Sequence, residues 1–364
     1  MRSTRSSIFL VVAILVSIGI VMIYSASSIY AYSSMGDSLY FLKRHLIYLA
    51  IGLVMMFFMM IIDINKLRVL SKPIMLATIF LLLLVLIPHI GREIAGARRW
   101  FRVGLINFQP SELAKIAVII YMADLIARKG LAMKSFINGY IPAVMILGVI
   151  VGFVLLEPDL GTAFTISVIA VIMLFVGGVN VYYLLASGLA CLPVLYMLLF
   201  RVEYRRKRMM MFLNPWSDKR GAGFQIIQSF VALGSGGPFG VGLGQSRQKL
   251  FYLPASHTDF IFSIIGEELG FLGAASVVIL FMIFVWQGMK VAFKAIDPFQ
   301  RYTALGIVSL IGLEALINIG VTAGALPTKG LPLPFISYGG SGLVFHLMAV
   351  GILLNIAKSS EVCG

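Results

Sequence analysis

The sequence predicts an all-α, polytopic membrane protein: about ten transmembrane helices, joined by mostly short loops, with one long outer loop between the seventh and eighth. Three observations predict it. Of 364 residues, 60% are hydrophobic and only 12% are charged, whereas a water-soluble globule carries about 25% charged residues. The mean hydropathy of +0.99 is too high for a soluble chain, which must clothe most of its exterior in polar groups. The apolar residues also gather into runs close to the roughly 20 residues that cross hydrocarbon as a helix. Soluble enzymes, disordered tails and secreted disulfide scaffolds are thereby excluded. Cys191 lies inside an apolar run and Cys363 at the chain end, which predicts neither a disulfide nor a thiolate metal site.

In chain order the expected spans are 8–30, 43–62, 73–90, 112–127, 136–156, 160–180, 181–200, 259–287, 302–325 and 337–357. The fourth is short, and the sixth and seventh meet at Asn180 almost without a linker. Met1-Arg2-Ser3-Thr4-Arg5 before the first run has the form of a cleavable signal. With so many spans following, a retained first span is the expectation. Residues 1–364 read as one membrane domain, whose outer loop 201–258 is expected to hold amphipathic or re-entrant segments.

Orientation follows from Lys and Arg in the short loops, because the cytoplasmic side retains positive charge. With the N-terminus inside, Arg2, Arg5, Lys66, Arg68, Lys72, Arg128, Lys129, Lys134, Lys290, Lys294, Arg301 and Lys358 are inner, while only Lys43, Arg44 and Lys329 fall on short outer loops. Both termini are then cytoplasmic. Two outer segments are nonetheless basic: 91–111, with Arg92, Arg98, Arg99 and Arg102, and 201–258, rich in Arg and Lys from Arg201 to Lys249. Long loops translocate whatever their charge, which is the plain explanation for the second. That both are basic favours a cationic outer surface for a phosphate-bearing substrate. The net charge of +14 reads the same way in a membrane protein, with anionic lipid headgroups as the other partner and no nucleic acid.

Ionisable side chains in or beside apolar spans are costly and are candidates for function. Glu112 and Lys115 are three apart on one helical face, where they can pair with each other or with a ligand. Glu157 and Asp159 flank Pro158 between two spans, Glu267 and Glu268 lie inside the eighth, and Glu314 is near the middle of the ninth. For each the competing reading is an internal hydrogen bond or salt bridge. Asp259 differs by place: it follows His257-Thr258 where the most basic outer loop re-enters the bilayer. There a partly desolvated carboxylate has a raised pKa and can accept a proton. The stretch Leu326 to Ser341, with Pro327, Pro332 and Pro334 and Gly330, Gly339 and Gly340, cannot be a regular helix. Its backbone needs water or protein partners, so it is expected to line a polar cavity. Lys329 would point a cation into that cavity or snorkel to the interface.

Seven stretches, in this order, resemble the SEDS family of bacterial cell-wall proteins, which includes FtsW, RodA and SpoVE. They are Gly96-Ala-Arg-Arg-Trp100, Phe108-Gln-Pro-Ser-Glu-Leu-Ala-Lys115, Glu157-Pro-Asp-Leu-Gly-Thr162, Gly221-Ala-Gly-Phe-Gln-Ile-Ile-Gln228, Leu253-Pro-Ala-Ser-His-Thr-Asp-Phe260, Gly266-Glu-Glu-Leu-Gly270 and Leu326-Pro-Thr-Lys-Gly330 through Ser341. The resemblance covers nearly the whole chain, and Asn214-Pro-Trp216 and Gln248 to Pro254 bring it nearer to FtsW or SpoVE than to RodA. It implies a peptidoglycan glycosyltransferase that polymerises lipid II on the outer face of the bacterial cytoplasmic membrane, here for cell division. It implies Asp259 as the essential outer-loop aspartate and Arg44, Glu112, Lys115, Asp159 and Lys329 as polar cavity residues. His257 and Thr258, beside that aspartate, and Ser337, in the proline-rich stretch, join the expected substrate-binding set. The family often has Glu or another polar residue where this chain has Ala255-Ser256, so no extra carboxylate role is expected there.

That chemistry needs a lipid-open groove, cations for phosphate and a base for a sugar hydroxyl. Glycosidases need a second carboxylate to protonate an alkoxide leaving group. A pyrophosphate leaves as a stable anion, so charge neutralisation can replace the acid. The expected pyrophosphate contacts are Lys115, Lys329, Arg98 and Arg99. No His or Cys cluster dictates a protein-held metal, so a divalent cation would bind with the pyrophosphate, Mg or Mn by ligand hardness. Expected partners are lipid II, the growing glycan strand, a class B penicillin-binding protein transpeptidase and other divisome proteins. Two other functions compete: a lipid II flippase, which would also carry intramembrane charge and broken helices, and a non-catalytic division scaffold. The outward clustering of the basic and proline-rich features argues against the first. Asp259 argues against the second.

Overall fold

A computed structural model describes residues 2–362 apart from 95, 105, 220, 222 and 329. Lys329, Arg220 and Cys363 therefore lie outside the described residues. The chain is a multi-pass helical membrane protein. In order it forms α1 (Arg2–Met35), α2 (Tyr40–Ile61), α3 (Ile64–Val69), α4 (Ser71–Leu86), strands β1 (Arg92–Ile94), β2 (Ala97–Val103) and β3 (Ile106–Phe108), α5 (Pro110–Lys129), α6 (Ile141–Leu156), α7 (Leu160–Val176), α8 (Val181–Phe200), α9 (Glu203–Leu213), α10 (Phe224–Ser235), α11 (Ile261–Lys294), α12 (Pro298–Thr322) and α13 (Ser341–Val362).

Among the described residues, seven helices are long and apolar enough to cross a membrane. Each of the expected spans has a helix at its position, but α4 and α7 are shorter apolar helices and α5 carries too many charges to qualify. Local chemistry sets the ends. Pro110 opens α5, Glu112 occupies its first turn and Arg128 and Lys129 its last, which suits the helix dipole, and Gly130 follows at φ 49°, ψ −121°, a conformation open to glycine. Asp63, Asp159, Asn180 and Asp297 cap the helices that follow them by accepting a backbone N–H.

The helical expectation omitted a small antiparallel sheet of order β1-β2-β3, with Arg92 opposite Trp100 and Phe101 opposite Phe108. Its longest strand, Ala97 to Val103, is too short and too charged to register in a count of membrane-length spans. The segment 201–258 contains α9 and α10, and α10 buries Ile226, Ile227, Ser229 and Ala232.

The most enclosed helices are α5, α12 and α13, whereas α8 buries no residue and stands at the rim. α13 packs most extensively on α2, α12 on α11 and α5, and α1 on α11. At Gly270 (φ 69°, ψ −168°) the helix α11 breaks. The segment before it repairs the damage: Val241 and Gly242 donate to the carbonyls of Glu267 and Glu268, and Phe271 and Leu272 donate to those of Gly237 and Pro238. A broken helix inside a membrane protein persists only where such partners exist.

Alternation of the helices brings β1–β3, the turn 157–159, the segment 201–260 and the segment 323–340 to one end of the bundle. This end carries the site.

Candidate active site

Asp259 sits in the turn that leads into α11, and the loop before α13 closes over that turn. Three successive carbonyls are held. The N–H of Tyr338 donates to His257 at 3.0 Å, the Ser337 hydroxyl to Thr258 at 2.6 Å, and the Asn318 side-chain amide to Asp259 at 2.9 Å. The Ser337 hydroxyl also accepts from the N–H of Leu333 at 2.8 Å. Thus His257, Thr258, Asp259 and Ser337, expected together, do meet. The Ser337 hydroxyl joins the two loops.

The Asp259 side chain is partly buried. Among the described residues its carboxylate has no hydrogen-bond partner. Gly330 faces it so closely that a Cβ there would stand 3.1 Å from Asp259 Oδ2, so any larger residue would narrow the recess. Burial pushes the carboxyl up to about 6, while the Arg208 guanidinium on α9 pulls the other way. Arg208 also reaches the carbonyl of Thr328 at 3.5 Å, which places it over the proline-rich stretch. The sequence held Arg208 only as one of a crowd of basic residues.

The His257 ring lies in an aromatic nest, with centroids 4.6 Å from Phe41, 5.7 Å from Tyr30 and 6.1 Å from Tyr338. That burial holds it down to about 4, so it is a neutral ring at pH 7. Arg44 stands over the Tyr40 ring at 4.9 Å beside the Tyr338 phenol, whose pKa is raised by burial.

Adjacent Arg98 and Arg99 have opposite fates because successive strand residues face opposite ways. Arg99 donates to the carbonyls of Glu157 (2.8 Å) and Pro158 (2.7 Å) and lies 3.8 Å from Asp159. It ties the sheet to the turn that starts α7. Asp159 accepts from the N–H and hydroxyl of Thr162, both at 3.0 Å. Beside it Glu157 is wholly buried. Burial, reinforced by Asp159, pushes its carboxyl up to about 8, against weaker pulls from Arg99 and the Ser111 hydroxyl. Arg98 instead points outward, 3.2 Å from Glu93.

Lys115 is enclosed. Its ammonium lies 2.9 Å from Glu112 and 2.5 Å from Glu314, and Glu314 in turn lies 2.6 Å from His346. Four side chains from three helices make a buried chain one turn below Asn318. Sequence reasoning placed Glu112 and Lys115 on one face as a candidate pair, noted Glu314 apart from them, and missed His346 and Asn318, although a polar residue within an apolar span is itself a signal. A second enclosed group joins Lys249 to Glu268 (2.9 Å) and Ser25 (3.1 Å), with Ser246 bound to Glu267. It locks the 236–250 segment to α11 and α1.

The arrangement is a partly open carboxylate between two stitched loops, with the Arg208 guanidinium near it. Comparison with known proteins agrees in extent and kind. The family model described as "Cell cycle protein" (FtsW, RodA, SpoVE) matches residues 5–362. A Geobacter sulfurreducens protein named "Probable peptidoglycan glycosyltransferase FtsW" is 48% identical over 350 residues, covering 96% of this chain and 94% of that one. Stage V sporulation protein E of Bacillus subtilis is 43% identical over 362 residues, covering 99% of each. Among solved structures, a chain described under "Structural coordination of polymerization and crosslinking by a peptidoglycan synthase complex" superposes with a TM-score of 0.79 at 30% identity, covering 97% of both chains. The rod shape determining protein RodA of Thermus thermophilus gives 0.70 at 28%, covering 97% of this chain and 96% of that one. The chain belongs to the FtsW/RodA/SpoVE family.

Proposed function

We propose that this protein is a peptidoglycan glycosyltransferase that polymerises lipid II, working in cell division at the outer face of the bacterial cytoplasmic membrane with both termini in the cytoplasm. One observation carries the site assignment: a partly buried carboxylate, Asp259, has no hydrogen-bond partner among the described residues, in a recess next to a cation. Its raised pKa of about 6 leaves it ionised at pH 7 yet basic enough to take a proton.

Asp259 removes the proton from the acceptor GlcNAc 4-hydroxyl as that oxygen attacks the anomeric carbon of the donor MurNAc. The bond from that carbon to the pyrophosphate oxygen breaks, and polyprenyl pyrophosphate departs with the electron pair. A single displacement turns the α-linked donor into a β-linked product. Arg208, whose field reaches Asp259, is the cation best placed among the described residues to meet the departing pyrophosphate, with Arg44 at the aromatic rim and Lys329 as further contacts. Lys115, buried between two carboxylates, serves this step less directly than its charge alone implies. Arg99 holds the 157–159 turn, and Arg98 lies beyond it.

A divalent ion is proposed here as a companion of the substrate. Among the described residues no group of three or more His, Cys, Asp or Glu is placed to hold one. Mg or Mn, arriving on pyrophosphate oxygens, would neutralise charge there. A class B penicillin-binding protein is the proposed partner, because a glycan polymerase and the transpeptidase that crosslinks its strands act on one product.

The test is lipid II polymerisation by the purified protein with and without such a partner. Glycan strands from the unmodified chain and none from folded Asp259→Asn support the base. Normal strands from Asp259→Asn remove it.

A further inference from the structure

The clamp on the 257–259 turn has one member that belongs to neither loop. Asn318 is on α12, a membrane-crossing helix, and is 2% exposed. Its amide group donates one hydrogen to the carbonyl of Asp259 (2.9 Å) and the other to that of Leu331 (2.8 Å). Leu331 follows Gly330, which faces the Asp259 carboxylate. A single NH2 group therefore fixes both the residue that bears the carboxylate and the main chain opposite it. Its own Oδ1 is buried with no partner among the described residues. The unmet oxygen costs stability, whereas the two amide hydrogens satisfy main-chain carbonyls that an apolar residue would leave without this donor. What the amide adds is a fixed distance between the two walls of the recess.

We infer that Asn318 is a positioning residue for glycosyl transfer, setting where Asp259 stands without touching substrate. The inference rests on the reading of Asp259 as the base. Ser337 secures the neighbouring carbonyl, but from within the loop it would have to hold. Asn318 anchors the pair to the rigid bundle. A misplacement of a reacting group by about 1 Å costs about 100-fold in rate, and this clamp is what prevents it.

The experiment is steady-state lipid II polymerisation by the full-length protein, with partner transpeptidase where the unmodified chain needs it. Asn318→Leu, similar in size and without donors, is expected to lower kcat by about 100-fold while KM for lipid II stays within about twofold. Asn318→Ser keeps one O–H donor and should regain about tenfold over Asn318→Leu. Asn318→Val stays close in volume, offers no donor and should stay with Asn318→Leu. A packing role would rank the variants by volume, placing Val above Ser. The inference is overturned if Asn318→Leu keeps kcat within about threefold, if its loss lies in KM, or if Val outranks Ser. Should Asn318→Leu fail to fold, the ranking of Ser against Val decides alone. Asp259→Asn runs alongside: if it remains active, the reading of the base falls and this inference with it. If it is inactive while Asn318→Leu works normally, only the inference falls.

Discussion

Two groups of buried or half-buried charge lie a few helical turns apart, and they are built in opposite ways. In the Glu112–Lys115–Glu314–His346 chain every ionisable group touches another at 2.5 to 2.9 Å, and all are nearly sealed from solvent. At Asp259 the backbone carbonyl is secured while the carboxylate has no hydrogen-bond partner among the described residues and feels only the field of Arg208. Burial with pairing stabilises or specifies a fold. Burial without a hydrogen-bonded partner leaves a carboxylate whose cost is relieved by taking a proton, which is what a base must do. The difference separates the catalytic proposal from the scaffold around it, since charge in the membrane marks both equally.

The largest expected effect is on activity at Asp259. Asp259→Asn should lower polymerisation by about a thousandfold, within the 10²–10⁴ range of a lost general base. It should not destabilise the protein. A carboxyl raised from 3.8 to about 6 binds more protons folded than unfolded, so its ionisation opposes folding increasingly as pH rises through that window. Removing the charge should leave the melting temperature unchanged or higher at pH 7. A clear fall in that temperature would make Asp259 a structural carboxylate.

The paired chain should answer in the reverse sense. Lys115→Met leaves two carboxylates uncompensated in the bundle and should cost about 3–5 kcal/mol of stability, read as loss of folded, monodisperse protein on heating. Adding Glu112→Gln and Glu314→Gln should restore most of it, because removing all the charges together removes the penalty. Activity would follow the folded fraction. A Lys115→Met protein that is stable but inactive would instead move Lys115 into the substrate's path.

Acid should sharpen the contrast without any substitution. Below about pH 6 the proposed base becomes protonated, so the rate per folded molecule should fall about tenfold for each further pH unit, while protonation of Asp259 favours folding and the depressed His257 opposes it. A flat rate from pH 7 to 5 would exclude this carboxyl as the group that titrates.

Much of this frame is legible in the sequence because a bilayer allows few solutions. Apolar runs of membrane length must be helices, and Asp259, Glu112, Lys115, Asp159 and Glu314 stand out as charges against them. Their partners on other helices do not. Lys115 and Glu314 are 199 residues apart, and nothing in a single chain's pattern pairs them. The short sheet escaped for a different reason, since its strands are only three to seven residues long and sit among charges. Asn318 escaped because an uncharged amide in a helix stands out less than a carboxylate, although its two hydrogen bonds reach both loops of the site.

The smallest effects separate the neighbouring arginines of β2, identical in composition and read together in the sequence. Arg99 is tied to two carbonyls and faces Asp159 across 3.8 Å. Arg99→Ala would strip donors from the Glu157–Asp159 turn and should cost about 1–3 kcal/mol. Arg98 meets Glu93 with both side chains 41% or more exposed, an arrangement worth roughly 0–1 kcal/mol. Arg98→Ala should therefore change melting by little and polymerisation by less than about twofold. If Arg98→Ala raised KM for lipid II while Arg99→Ala did not, the strand's outward face would be the one that meets the pyrophosphate, and Arg99 would be left as a staple of the fold.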